Sequence, residues 1–169
     1  METLSGFSRE FLASLFEYDE SVRGLRRKVR RSHQPAGAVV GSSDGKGYLQ
    51  VCVLDKNLFV HRIVYFLHTG EAPAGVDHKD RDKTNNTFSN LRPANQRDNS
   101  GNTGLSKHNT SGFKGVSQNG QSGKWHAQIK LNGKQTYLGR RDSPEEAALL
   151  YDAAARVHFG EFAVTNYGN

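Results

Sequence analysis

Cysteine is almost missing from this chain. Cys52 stands alone among 169 residues, which excludes an intramolecular disulfide and any Cys-x-x-Cys zinc site. A reducing compartment suits that usage. Long apolar runs are missing as well: nothing approaches the roughly 18 residues that would span a bilayer, so no membrane partner is expected. Negative charge is the scarcer sign, with 17 Asp plus Glu against 23 Lys plus Arg and a net charge of +6. That balance favours a polyanionic partner, nucleic acid first among them, although a merely basic soluble protein would show it too.

What is present starts with enough apolar content, 35% with nine Phe, for modest cores in two small modules. The opening "METLSGFSREFLASLFEYDE" has neither a basic start nor an unbroken apolar core, so it does not read as a targeting segment. Phe7, Phe11, Leu12, Leu15 and Phe16 instead follow helical spacing, with Ser8 as N-cap and Glu10 in the first turn. Next, "RGLRRKVRRSH" crowds six cations; it reads as a strand or arm laid along phosphates, with Arg27 and Arg30 as contacts, or as a solvated charge run. Leu49, Val51 and Val53 then alternate with polar positions, "DKN" turns the chain, and "LFVH" runs back as a hairpin. The stretch "HRIVYFLH", stopped by Thr69 and Gly70, reads as a short helix whose His61 and His68 are packing or phosphate-facing residues rather than metal ligands, with no chemistry assigned.

The segment "GVDHKDRDKTNNTFSNLRPANQRDNSGN" carries the chemistry. Hydrolysing a phosphodiester requires a base for water, a cation against the charge on phosphorus and the leaving oxygen, and a rigid frame. His78 suits the base, because an imidazole is substantially neutral at pH 7. Asp77 offers the hard oxygen that Mg²⁺ or Mn²⁺ prefers, with Asn99 as a second oxygen ligand and Asp80 or Asp82 as a weaker third. Taken singly, each Asn here would be loop material; the order behind Asp77 and His78 argues otherwise.

"VDH", "SNLR" and "QRDN", preceded by "VHRIVYFLHTGEAP", resemble the HNH homing endonucleases, in the phage and intron branch whose last His is Asn. The resemblance spans residues 8 to 103 and implies a ββα-metal fold. It places the metal-binding Asp at Asp77, the general base at His78, the structural Asn of the catalytic frame at Asn90, and the second metal ligand at Asn99. It also implies that His78 ends one strand, that "NLRP" forms the next, and that a helix begins between Asn95 and Asn102.

After the polar stretch "SGNTGLSKHNTSG" come three short strand patterns, the last two joined by Asn132-Gly133. Trp125, Ala127, Ile129 and Leu131 share one face of the middle strand, and Lys124, His126, Gln128 and Lys130 share the other. A capping box from Ser143 to Glu146 with Pro144 at the first position launches a helix that stops at Gly160. "GFKGV", "GKWHAQI", "YLGR" and "EEAALLYDAAARVHFGEFAVTN" resemble the ethylene-response-factor (AP-two) DNA-binding domain over residues 112 to 166, whose sheet enters the major groove. Arginines of plant members appear here as Lys114, Ser117, Asn119 and Lys130, a tryptophan appears as Tyr137, and "QNGQSGK" holds one inserted residue. A GC-box preference is therefore not transferred, while docking on DNA is.

The expectation is an α+β chain with an HNH nuclease domain over 1–103, a linker over 104–111 and a DNA-binding domain over 112–169, the last a three-stranded antiparallel sheet on one helix. Lys114, Ser117, Lys124, Gln128, Lys130 and Tyr137 are its expected DNA contacts. Function follows as a metal-dependent, homing-type endonuclease that nicks double-stranded DNA, phage-encoded and acting in a host cytoplasm. It is expected to be a monomer, a dimer or second event being needed for a double-strand break, with no small-molecule cofactor. The rival expectation is a DNA-binding regulator with an inert nuclease half.

Overall fold

The computed structural model describes residues 4, 6–95, 98 and 101–168. The chain is α+β and divides into two compact units, residues 1–95 and 96–169.

In the first unit, helix α1 (Arg9–Leu15) starts where Ser8 Oγ accepts from Phe11 N at 3.1 Å, and it ends at Phe16, whose extended backbone begins a strand. That strand, β1 (Phe16–Asp19), pairs antiparallel with β2 (Gly24–Arg27), so the first part of the arginine-rich stretch is a strand. A sheet of β3 (Ser42–Ser43), β4 (Leu49–Val53) and β5 (Lys56–Phe59) follows in that order. The β4–β5 turn is one residue earlier than "DKN" suggested: Leu54 and Asp55 both have positive φ (45° and 59°), and Lys56 already pairs with Val53. Two successive positive φ values match the right-handed twist of a hairpin, and this overrides the side-chain preference of Leu54.

Helix α2 (Val60–Thr69) runs directly from β5 and stops at Gly70, which takes φ 75° and donates from its N–H to Phe66 O. Val60, Ile63 and Val64 are fully buried with Leu12, Phe16, Leu25 and Leu58, so α2 is the central element of this core. Strands β6 (Gly75–His78) and β7 (Leu91–Ala94) form an antiparallel pair with Asp77 opposite Arg92 and His78 opposite Leu91.

The second unit holds a sheet in the order β10-β9-β8, from β8 (Val116–Gln118), β9 (Trp125–Leu131) and β10 (Lys134–Arg141), packed on helix α3 (Pro144–Phe159). Asn132 and Gly133 make the β9–β10 turn with φ 50° and 81°. Ser143 Oγ accepts from Glu146 N at 3.2 Å with Pro144 in the first turn of α3, and Gly160 stops it. Ala147, Ala148 and Ala155 are fully buried, which lets α3 lie close to the sheet. The Asp152 carboxylate, fully buried, accepts from Asn166 N, Asn166 Nδ2 and Tyr167 N at 2.8 to 2.9 Å and fixes the C-terminal tail. Within the stretch expected as a linker, Asn109 Nδ2 donates to Phe113 O at 2.8 Å and Ser111 Oγ to Val116 O at 2.9 Å, tying it to the lead into β8.

Candidate active site and nucleic-acid interface

His78 is the last residue of β6 and is 3% exposed. The partner of Nε2 settles the tautomer: Asn86 Oδ1 lies 3.0 Å away. Asn86, itself fully buried, donates from Nδ2 to Thr84 O at 3.0 Å, which orients the amide so that oxygen faces the imidazole. His78 Nε2–H is therefore the donor, and Nδ1 holds the lone pair a base needs. The ring of His61 packs edge-on at 4.9 Å, and that of Tyr48 lies at 6.0 Å.

Asp77 faces Arg92 across the hairpin. Arg92 Nε and Nη2 both reach Asp77 Oδ2, at 3.1 and 3.0 Å. Both side chains are largely buried, at 13% and 12% exposure, so the pair holds the carboxylate in place more firmly than a surface ion pair would.

Asn90 ties together the loop joining β6 to β7. Its Nδ2 donates to Asp80 Oδ1 at 2.9 Å and Asn85 O at 2.8 Å, while its Oδ1 accepts from Asp80 N at 3.1 Å. It is a frame residue. Asp80 and Asp82, the weaker ligand candidates, accept bonds inside the same loop, from Asn85 Nδ2 and Thr84 Oγ1 among others. Burial would raise the Asp80 pKa, but hydrogen bonds from Asn85, Asn90 and Asp82 N outweigh it and hold the carboxyl below its ordinary value. Asn99 lies outside the described residues.

On the second unit, the face of the sheet turned away from α3 carries Ser117, His126, Gln128, Lys130 and Tyr137, with Tyr137 opposite Gln128 and 58% exposed. Lys124 forms a surface pair with Asp142 at 2.8 Å. Lys114 is a correction: β8 starts only at Val116, and the Lys114 ammonium donates to Gly101 O and Val164 O at 3.0 and 3.3 Å, beside the Tyr151 ring. Gly115, at φ 75°, turns the chain before the strand and sends Lys114 to the helix side. Arg27 is a second correction: it is 7% exposed and bonded to Gln34, not laid out on a surface, whereas Arg30 is exposed.

The HNH endonuclease family model matches residues 58–100, the span from β5 through the β6–β7 hairpin. Protein 3.8 of Escherichia phage T7 is 35% identical over 105 residues, covering 61% of this chain and 86% of that protein. The chain belongs to the HNH endonuclease family. An uncharacterized HNH endonuclease of Acanthamoeba polyphaga mimivirus is 37% identical over 110 residues, of which this HNH chain spans 56% of the length. An ethylene-responsive transcription factor of Arabidopsis thaliana is 40% identical over 57 residues, 32% of this chain and 13% of that protein, a likeness confined to the C-terminal region.

The donors of this HNH site suit a hard divalent ion. Among the described residues no group of three or more His, Cys, Asp or Glu gathers. A single carboxylate, with water and substrate phosphate completing the shell, is how Mg²⁺ is commonly held. Asp77 fits that part, sharing its Oδ2 with Arg92.

His61 is the residue that sequence reasoning missed. Its neighbour in space is not His68, which stacks on Phe88 at 4.2 Å as a packing residue, but His78. The available signal was position: His61 opens the helix that enters straight from β5, within the "VHR" that precedes the motif. It is 5% exposed and its Nδ1 has no hydrogen-bond partner. Burial first, then the charges of His78 and Arg62, push its pKa down to about 3. The linkage sign is fixed by that depression: between about pH 6.5 and 3 the unfolded chain binds a proton that the folded chain refuses, so stability falls as pH falls through this window. His61→Phe should flatten that loss in an acid titration of stability followed by circular dichroism; an unchanged slope would place the loss elsewhere.

Proposed function

We propose that the chain is a metal-dependent DNA endonuclease that nicks duplex DNA, held on its substrate by the C-terminal sheet. One observation carries this reading: a buried imidazole of fixed tautomer, His78, sits next to a clamped carboxylate, Asp77, at the end of a two-stranded hairpin. His78 Nδ1 takes the proton from a water molecule as its oxygen attacks phosphorus. The bond from phosphorus to the 3′-oxygen then breaks, leaving 5′-phosphate and 3′-hydroxyl ends. Asp77 and Asn99 would hold a divalent ion, Mg²⁺ or Mn²⁺, whose contribution is charge neutralisation on the scissile phosphate and the leaving oxygen. Asn86 keeps the proton on Nε2, and Asn90 keeps the loop that carries Asn86 in shape.

Supercoiled plasmid incubated with the protein and Mg²⁺ or Mn²⁺ should relax to the nicked form, and a chelator should stop it. Retained DNA binding with no nicking under either ion would favour the regulator with an inert nuclease half.

The sheet reading rests on Ser117, Lys124, Gln128, Lys130 and Tyr137, and gains Arg140. Between Tyr137 and Gly139 the pairing with β9 shifts by one residue, so that Arg140 lies opposite His126 and shares the outer face. Without that bulge Gly139 would lie opposite His126 and Arg140 would turn to the helix side. Arg140→Ala and Lys130→Ala should each weaken DNA binding and lower the slope of log affinity against log salt by about 1. Unchanged slopes in fluorescence-anisotropy titrations would move the DNA interface off this face.

A further inference from the structure

Arg27 brings a positive charge into a place where, among the described residues, no opposite one pairs with it. It ends β2 at 7% exposure, with its guanidinium carbon 5.8 Å from the centre of the Phe16 ring. Its Nε donates to Gln34 Oε1 at 2.7 Å; among the described residues that is the one hydrogen bond its side chain makes, and no ion pair includes it. Burial and the neighbouring Arg31 lower its pKa, yet a guanidinium stays protonated throughout the working range. Its remaining guanidinium N–H groups open onto the cleft rather than being sealed in the core, so the charge is presented where an anion could meet it.

The same side chain lines an open cleft of about 420 Å³. Arg31, Ser32, His33, Gln34 and Ser42 also face it, and among the described residues no Asp or Glu lines it. Arg31 is held at the cleft through a hydrogen bond from Nη1 to the Cys52 carbonyl on β4. Two guanidinium forks with hydroxyl and amide donors beside them match the tetrahedral oxygens of phosphate.

We propose that this cleft is a phosphate-binding site in which Arg27 and Arg31 are the principal donors. The ligand is a phosphate oxyanion, either inorganic phosphate or a phosphodiester of the DNA backbone; only the second source rests on the nuclease reading. It goes beyond the hairpin site, because none of its residues touches the β6–β7 loop chemistry described above.

The test uses the full chain without divalent metal, so that cleavage plays no part. Thermal melting in chloride is compared with melting in inorganic phosphate at equal ionic strength, for the native chain, Arg27→Met and Arg31→Ala. Phosphate should raise the native melting temperature by several degrees through mass action and leave both variants where they are. In chloride, Arg27→Met should melt at or above the native temperature, because the thioether keeps the packing on Phe16 and the lone charge is gone. Should Arg27→Met fail to fold, Arg31→Ala at an exposed position carries the same comparison.

A second arm measures binding to duplexes bearing single neutral methylphosphonates. A backbone source predicts a loss of roughly tenfold at one or two positions for the native chain and none at those positions for Arg31→Ala. A phosphate-dependent melting shift without such positions supports the site with a free anion as its ligand. The absence of both a melting shift and a position-specific loss overturns it. Plasmid nicking is read separately, so a failed nuclease reading and a failed phosphate site give different results.

Discussion

His78→Ala should lower plasmid nicking by about 10²- to 10⁴-fold, the range a positioned general base contributes, while duplex binding is retained. Because His78 is 3% exposed and packs against His61, the Ala variant also opens a hole. His78→Gln fills more of that space and should be as slow, which separates lost chemistry from lost stability. Asn86→Ala tests the tautomer argument without touching the imidazole. With its acceptor gone, Nε2 no longer fixes which nitrogen carries the proton, and nicking should fall by about 10- to 100-fold with a displaced acid limb of the pH profile. Equal activity in native and His78→Gln protein would remove His78 from the reaction. A normal pH profile in Asn86→Ala would reduce Asn86 to packing.

Much of this was legible in the chain because the signals were local. Ser8 and Ser143 cap helices, Gly70 and Gly160 stop them, and Asn132-Gly133 turns a hairpin; each acts through its own backbone and immediate neighbours. Asp77 and His78 were legible as a pair at the end of β6 for the same reason. The placements that escaped depend on partners far away in sequence. Arg27 looked exposed because it sits in a dense run of cations, yet β2 is drawn into the core by Leu25 and carries Arg27 in with it. Lys114 looked like a strand residue, but the positive φ of Gly115 breaks the alternation before Val116. Arg140 depended on a bulge whose sign in the sequence was Gly139, a glycine inside a strand. His61 depended on which strand α2 packs against, and a spacing rule within one helix does not reach that.

Gly115→Ala should be the most damaging single substitution in the second unit. Gly115 takes φ 75°, and a Cβ built there would meet Tyr151 Cδ2 at 2.0 Å, Cε2 at 2.5 Å and the Gln128 carbonyl oxygen at 2.7 Å. The left-handed backbone alone costs about 1 kcal/mol for Ala, and the contacts add more because neither partner can retreat. Tyr151 is 4% exposed in the core between α3 and the sheet, and Gln128 belongs to the central strand β9, where its N–H donates to Gly115 O at 2.8 Å. A loss on the order of 3 kcal/mol or more is expected, large against the stability of a domain this small. Gly133→Ala is the control. Its φ of 81° is just as unfavourable, but nothing lies within 4 Å of a Cβ there, so its loss should stay near ~1 kcal/mol. Chemical denaturation followed by Trp125 fluorescence reads the second unit directly, since Trp125 opens β9. If the two variants unfold at the same denaturant concentration, close packing at Gly115 is not what fixes the turn into β8. If Gly115→Ala alone collapses, duplex affinity should fall with it while His78 keeps its Asn86 partner in the first unit, and nicking would then become weak in proportion to lost binding.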